Sequence, residues 1–73
     1  MIKITVYTVG GGMSSWEEDI SIIDELHRLE DMEYKGKYLL DTLITDDWGV
    51  HPTFVIFEGI YKDKKFKKSI SYE

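Results

Sequence analysis

Residues 8–19, TVGGGMSSWEED, decide how the chain is read. Three glycines follow an apolar, strand-like run and precede an acidic, helix-like run. Such a junction is either a loop that cradles phosphate or a turn closed by a side-chain cap. A phosphate cradle needs backbone N–H groups turned inward at a helix N-terminus, and usually a basic side chain. The Walker pattern G-x-x-x-x-G-K-[ST] requires a lysine that is absent here, and G-x-G-x-x-G requires a glycine where Ser15 stands. Glu17, Glu18 and Asp19 would occupy the first helical turn, use the positive end of the helix dipole and repel phosphate. The expectation is therefore a flexible strand-to-helix turn with a serine cap. Ser15 and Glu18 have capping-box spacing, as do Ser14 and Glu17.

The flanking segments extend this reading. Residues 2–9, IKITVYTV, alternate Ile2, Ile4 and Val6 with Lys3, Thr5 and Tyr7, which predicts a strand. Over 15–33, Trp16, Ile20, Ile23, Leu26 and Leu29 recur at steps of three and four, which predicts an amphipathic helix ending before Gly36. YLLDTLIT, 38–45, reads as a second strand and DDWGVHP, 46–52, as a turn. TFVIFEGIY, 53–61, is nearly continuous in apolar character, which predicts a central strand buried on both faces. YKDKK turns the chain, and FKKSISY, 66–72, returns as a fourth strand. The order β-α-β-β-β predicts an α+β fold, with one amphipathic helix on a four-stranded mixed sheet.

With 73 residues the chain is read as a single small domain, 1–73. A chain of this size buries only about 60% of its unfolded surface, so its stability is marginal. It has no cysteine, which excludes disulfides and thiolate metal sites. Two Trp, five Tyr and three Phe are enough to build a dense core or to line a binding face. No apolar run approaches the length of a membrane span, and MIKITVYT lacks a signal peptide's apolar region, so a soluble cytoplasmic protein is expected.

The net charge of −5 is unevenly distributed. Residues 14–33 hold eight acids and Arg28, whereas residues 62–73 hold five lysines and two acids. An acidic total argues against general nucleic-acid binding.

Candidate chemistry is sparse. Asp46, Asp47 and His51 could share a metal ion, but Asp and Pro are common in turns for backbone reasons, and no cofactor or metal is expected. Ser14 or Ser15 could be a nucleophile only with His27 or His51 as its base, and the G-x-S-x-G elbow is missing. No enzymatic activity is expected. YKDKKFKKSISY, 61–72, interleaves lysines with Tyr61, Phe66 and Tyr72, as single-strand nucleic-acid binders do. Lysines also protect an edge strand against pairing with other chains. In that arrangement Lys67 faces outward, while Phe66, Ile70 and Tyr72 share the other side.

The acidic segment remains. Glu17, Glu18, Asp24, Glu25 and Asp31 would line the outer face of the helix, with Arg28 as the sole nearby base. Such carboxylates either solvate the helix or imitate a phosphate backbone toward a basic partner. The second reading makes the chain a non-enzymatic module binding a protein with a basic surface, with a homodimer as a further option. Compact acidic chains of this kind resemble the small inhibitors that phages and mobile elements direct at host nucleic-acid enzymes.

ITVYT followed by a loop and a helix is similar to the opening of glutaredoxin and thioredoxin chains. GVHPTFVIFEG is similar to their strand after a cis-proline, here Pro52. That resemblance implies a thioredoxin-like binding domain without redox chemistry, because GGGMSS stands where the family carries C-x-x-C.

Overall fold

The computed structural model describes residues 1–44 and 52–71. The chain forms β1 (Ile2–Thr8), β2 (Met13–Glu18), α1 (Ser21–Asp31), α2 (Gly36–Leu43), β3 (Pro52–Tyr61) and β4 (Lys64–Ser71). The strands build one antiparallel sheet in the order β2-β1-β3-β4. The α+β class and the four strands agree with the sequence reading. The order of elements, the number of helices and the strand directions differ from it.

The first difference arises in the glycine stretch. It is the turn of a β-hairpin, and the acidic residues that follow form a strand. Gly11 N–H donates to the Thr8 carbonyl at 3.2 Å, and Thr8 N–H donates to the Gly12 carbonyl at 2.9 Å. Gly10 and Gly11 hold φ of 93° and 89°, a region costly for residues with a Cβ. β2 then pairs with β1 from Tyr7↔Met13 to Ile2↔Glu18. Ser14 and Ser15 are therefore strand residues and cap nothing. Trp16 sits opposite Ile4, and Ile20 lies outside the helix with 42% of its surface exposed.

Helix α1 starts at Ser21, later than expected; Ile20 holds the cap position without a side-chain cap, and the turn just before it is closed by Asp19. Its carboxylate accepts the Ser21 N–H at 2.9 Å, and its carbonyl accepts the Ile22 N–H at 3.0 Å. The helix ends in a Schellman-type arrangement, with Tyr34 N–H donating to Leu29 and Glu33 N–H donating to Glu30. Glu33 takes the left-handed conformation, φ 65°, where glycine is usual. Gly36 does not stop this helix but opens the next one. The segment expected as the strand 38–45 is mostly helix α2, whose Leu39 and Leu40 are buried and whose Leu43 packs against the core. The turn expected at 46–52 falls outside the described residues except for Pro52, which opens β3, a position that tolerates a missing N–H.

Cross-strand register assigns every sheet residue to a face, because paired residues point the same way. Ile2, Ile4, Val6, Trp16, Val55, Phe57, Phe66 and Ile70 face the helices. With Ile23, Leu26, Leu29, Leu39 and Leu40 they form the core. Gly59 belongs to the same face. A Cβ there would lie 2.8 Å from the Met1 carbonyl oxygen and 3.0 Å from Ile2 Cδ1, so the central strands approach closely only because glycine is present. β3 is central as expected, but it is not fully buried on both faces. Phe54 and Ile56 are half-buried on the opposite face, and Ile60 there is 56% exposed. The helices cover one side only, and the shortest dimension of the molecule is 18 Å, consistent with a two-layer build.

This order departs from the glutaredoxin and thioredoxin pattern on which the resemblance rested. The loop after ITVYT leads into a strand, and the sheet is wholly antiparallel. The described residues contain no cis peptide bond, and the bond joining His51 to Pro52 lies outside them.

Candidate interaction surface

The five carboxylates expected along one helix are spread over two elements. Glu17 and Glu18 sit on edge strand β2, and strand alternation sends them to opposite sides of the sheet. Glu17 faces away from the helices. Glu18 lies on the helix-bearing side and accepts the Trp16 indole N–H at 2.9 Å. Asp24, Glu25 and Asp31 are on α1, as expected.

Two of those three already have partners. The Tyr61 hydroxyl donates to Asp24, and this bond together with burial raises the tyrosine above its ordinary value. Glu25 is paired with Arg28, whose Nε donates at 3.1 Å, and this contact holds the carboxyl below its usual range and raises the guanidinium. Glu30 is joined to Lys68 across the gap between α1 and β4. Asp19 is lowered by the hydrogen bond it accepts from the Ser21 N–H. Arg28 is thus one of several donors that engage the acidic segment, and the carboxylates do not form an unpaired row.

The basic hairpin is also partly committed. Phe66 lies on the core side with Ile70, and Lys67 faces outward, as the edge-strand reading requires. Tyr72 lies outside the described residues. His27, Tyr61 and Phe66 form an edge-to-face cluster, with ring centroids 5.8 to 6.1 Å apart. Lys62 sits over the Tyr61 ring at 5.3 Å. These rings are held against α1 and are not presented as flat platforms for bases. The same cluster places His27 over the β3–β4 side, whereas Ser14 and Ser15 lie on the opposite edge strand. Asp46, Asp47 and His51 fall outside the described residues. Among the described residues no group of three metal-ligating side chains converges, and no helix is long and apolar enough to cross a membrane.

Sequence reading missed the bare face of the sheet. Register sets Met13, Tyr7, Phe54 and Ser71 in one row across the strands. Ser15, Thr5, Ile56 and Ser69 form the next, and Glu17, Lys3, Glu58 and Lys67 the third. Tyr7 and Phe54 touch as a tilted pair with centroids 6.2 Å apart. Tyr7 is 38% exposed and Met13 is 61% exposed. A shallow depression at the charged end is bounded by Met1, Lys3, Glu17, Glu58, Ile60 and Lys67. The alternations Lys3-Thr5-Tyr7 and Phe54-Ile56-Glu58 were visible in the sequence. Their juxtaposition needed the strand register.

Comparison with known protein families, with curated proteins and with solved structures finds no match for this chain.

Proposed function

We propose that the protein is a small, non-enzymatic interaction module of the cytoplasm that binds a protein partner presenting a basic surface. The observation that supports it most is the acidic edge strand. β2 ends the sheet, Glu17 and Glu18 point to its two sides, and Asp19 follows at the turn into α1. An edge strand offers main-chain groups for pairing with an added strand, and flanking side chains supply selectivity. Carboxylates above and below that edge favour a basic segment and accelerate its arrival. Asp31, exposed in the last turn of α1, extends the acidic surface. A nucleic-acid-binding protein is the partner class that fits this chemistry, because its phosphate-binding surface is basic, and the module would inhibit or regulate it.

The test begins with affinity capture from the native host and identification of the bound protein by mass spectrometry. Glu18→Lys with Asp31→Lys should slow association with that protein, and added salt should reproduce part of the loss in the parent. Lys64→Glu with Lys65→Glu is the control and should bind normally. Normal binding by the acidic-edge variant together with lost binding by the lysine variant would refute this reading and move the contact to the β3–β4 hairpin.

A further inference from the structure

We infer that the bare face of the sheet is a self-association surface on which two copies pack face to face. The two-fold axis runs parallel to the strands, midway between β1 and β3. It sets β1 of one copy against β3 of the other, and β2 against β4. The inference shares Glu17 with the partner reading, which otherwise uses the β2 edge and the outer side of α1.

The charged row carries the argument. From edge to edge its signs alternate, with Glu17 negative, Lys3 positive, Glu58 negative and Lys67 positive. Rotation about an axis parallel to the strands reverses the order. Glu17 then meets Lys67 of the second copy, and Lys3 meets Glu58, so every encounter joins opposite signs. A two-fold axis perpendicular to the strands and along this row would bring each charge against itself. The pattern therefore selects one of the two in-plane arrangements. Among the described residues the ion pairs of the fold are Arg28–Glu25 and Lys68–Glu30; the opposite charges of the row lie side by side across the strands of one copy without closing such a pair.

The neighbouring rows agree with the same axis. Tyr7 meets Phe54 and Ser15 meets Ser69, while Thr5, only 6% exposed in one copy, adds little opposite Ile56. Sheets stacked with aligned strands cross at about 30°, a skew that long Lys and Glu side chains can follow. Desolvated ion pairs add little net affinity, so here they fix orientation while the apolar middle supplies contact area. Four strands about 4.8 Å apart with a rise of about 3.3 Å per residue give a face roughly 20 Å on each side. Two such faces bury on the order of 800 Å² in total, below standard-size interfaces and in the range of weak, transient contacts.

Sedimentation velocity at moderate salt, which screens the repulsion between two copies of charge −5, should show dimer growing as the chain goes from micromolar to millimolar concentration. Lys3→Glu alone and Glu58→Lys alone should each weaken dimerisation by roughly tenfold or more, because like charges then face one another. An equimolar mixture of the two variants should dimerise again, since every facing pair in the mixed dimer joins opposite signs. Circular dichroism establishes that each variant is folded. Should Glu58→Lys fail that check, Glu17→Lys and Lys67→Glu form the same complementary pair at the exposed edges. A parent that stays monomeric to millimolar concentration overturns the inference. So does a dimer that persists in both single variants, which would place association at an edge, or a mixture that does not recover.

Discussion

At the scale of single residues, the division of β3 between two environments gives a sharp contrast. Phe57 has no exposed surface and lies inside the core between the sheet and the helices, whereas Phe54 is half-buried on the bare face. Phe57→Ala should cost about 3–5 kcal/mol through lost contacts and the cavity left behind, much of the stability a domain of this size has. Phe54→Ala should cost clearly less, because water already reaches its surroundings. Urea unfolding of the two variants checks this, and equal losses would mean that the bare face is covered. Glu33 offers a gain in the opposite direction. Its left-handed φ of 65° at the end of α1 strains any residue with a Cβ. Glu33→Gly should raise stability by about 0.5–1 kcal/mol. The same residue explains why sequence reading carried the helix toward Gly36. The stop signal is a backbone conformation, and the amino acid that adopts it gives no notice.

At the scale of elements, the termini of helices and hairpins decide which pieces were legible. β1, β3 and β4 could be read because alternation or a continuous β-branched and aromatic run marks them. β2 could not be read. Of its residues only Trp16 packs partly against the core, and the step from Trp16 to Ile20 to Ile23 imitates a helix by coincidence. Pairing with β1 makes it a strand, so long-range contact overrides local pattern. α2 was missed for the converse reason. Its eight residues are too few to show a period, and Leu39, Leu40 and Leu43 fit a short buried strand almost as well. Two element ends can be tested. The two-residue turn Lys62–Asp63 has positive φ at both positions, 52° and 62°, as a type I′ hairpin requires. Lys62→Asn with Asp63→Gly should stabilise by about 1 kcal/mol, since relief of left-handed strain exceeds the weak cation–π contact given up at Lys62. At the start of α1, the Ser21 N–H lowers the Asp19 carboxyl. The unfolded chain therefore takes up this proton more readily than the folded one. The contribution is complete above the unfolded value of about 4 and is lost as pH falls through the lower folded value. Asp19→Ala should lower stability at neutral pH and flatten part of the acid limb, with Glu25 beside Arg28 supplying more of it in the same direction. Urea midpoints followed from neutral to acidic pH measure both effects, and an unchanged acid limb would remove Asp19 from that role.

At the scale of the whole molecule, the sheet carries opposite charge at its two edges. The acidic stretch and the lysine stretch were plain in the sequence, but the placing of Glu17 and Glu18 at one edge and the lysines at the other followed only from the order β2-β1-β3-β4, while the acids of α1 reach the lysine side through Lys68–Glu30. Glu17 and Glu18 guard one edge, and Lys64, Lys65, Lys67 and Lys68 guard the other. Charged side chains on an edge oppose the unplanned addition of strands from other molecules. Net charge acts separately, through repulsion between whole molecules. The two effects can be set against each other. Lys64→Val with Lys65→Val moves the net charge from −5 to −7, which by itself favours solubility. It also leaves the start of β4 as a flat, β-branched edge. If edge protection is the role of these lysines, the variant should aggregate faster than the parent despite its greater charge, with light scattering and a thioflavin signal rising together. Lys64→Thr with Lys65→Glu, which lowers the charge further and keeps a charged edge, should stay soluble. A valine variant as soluble as the parent would show that net charge alone keeps the molecules apart, and the lysines would then need a different explanation.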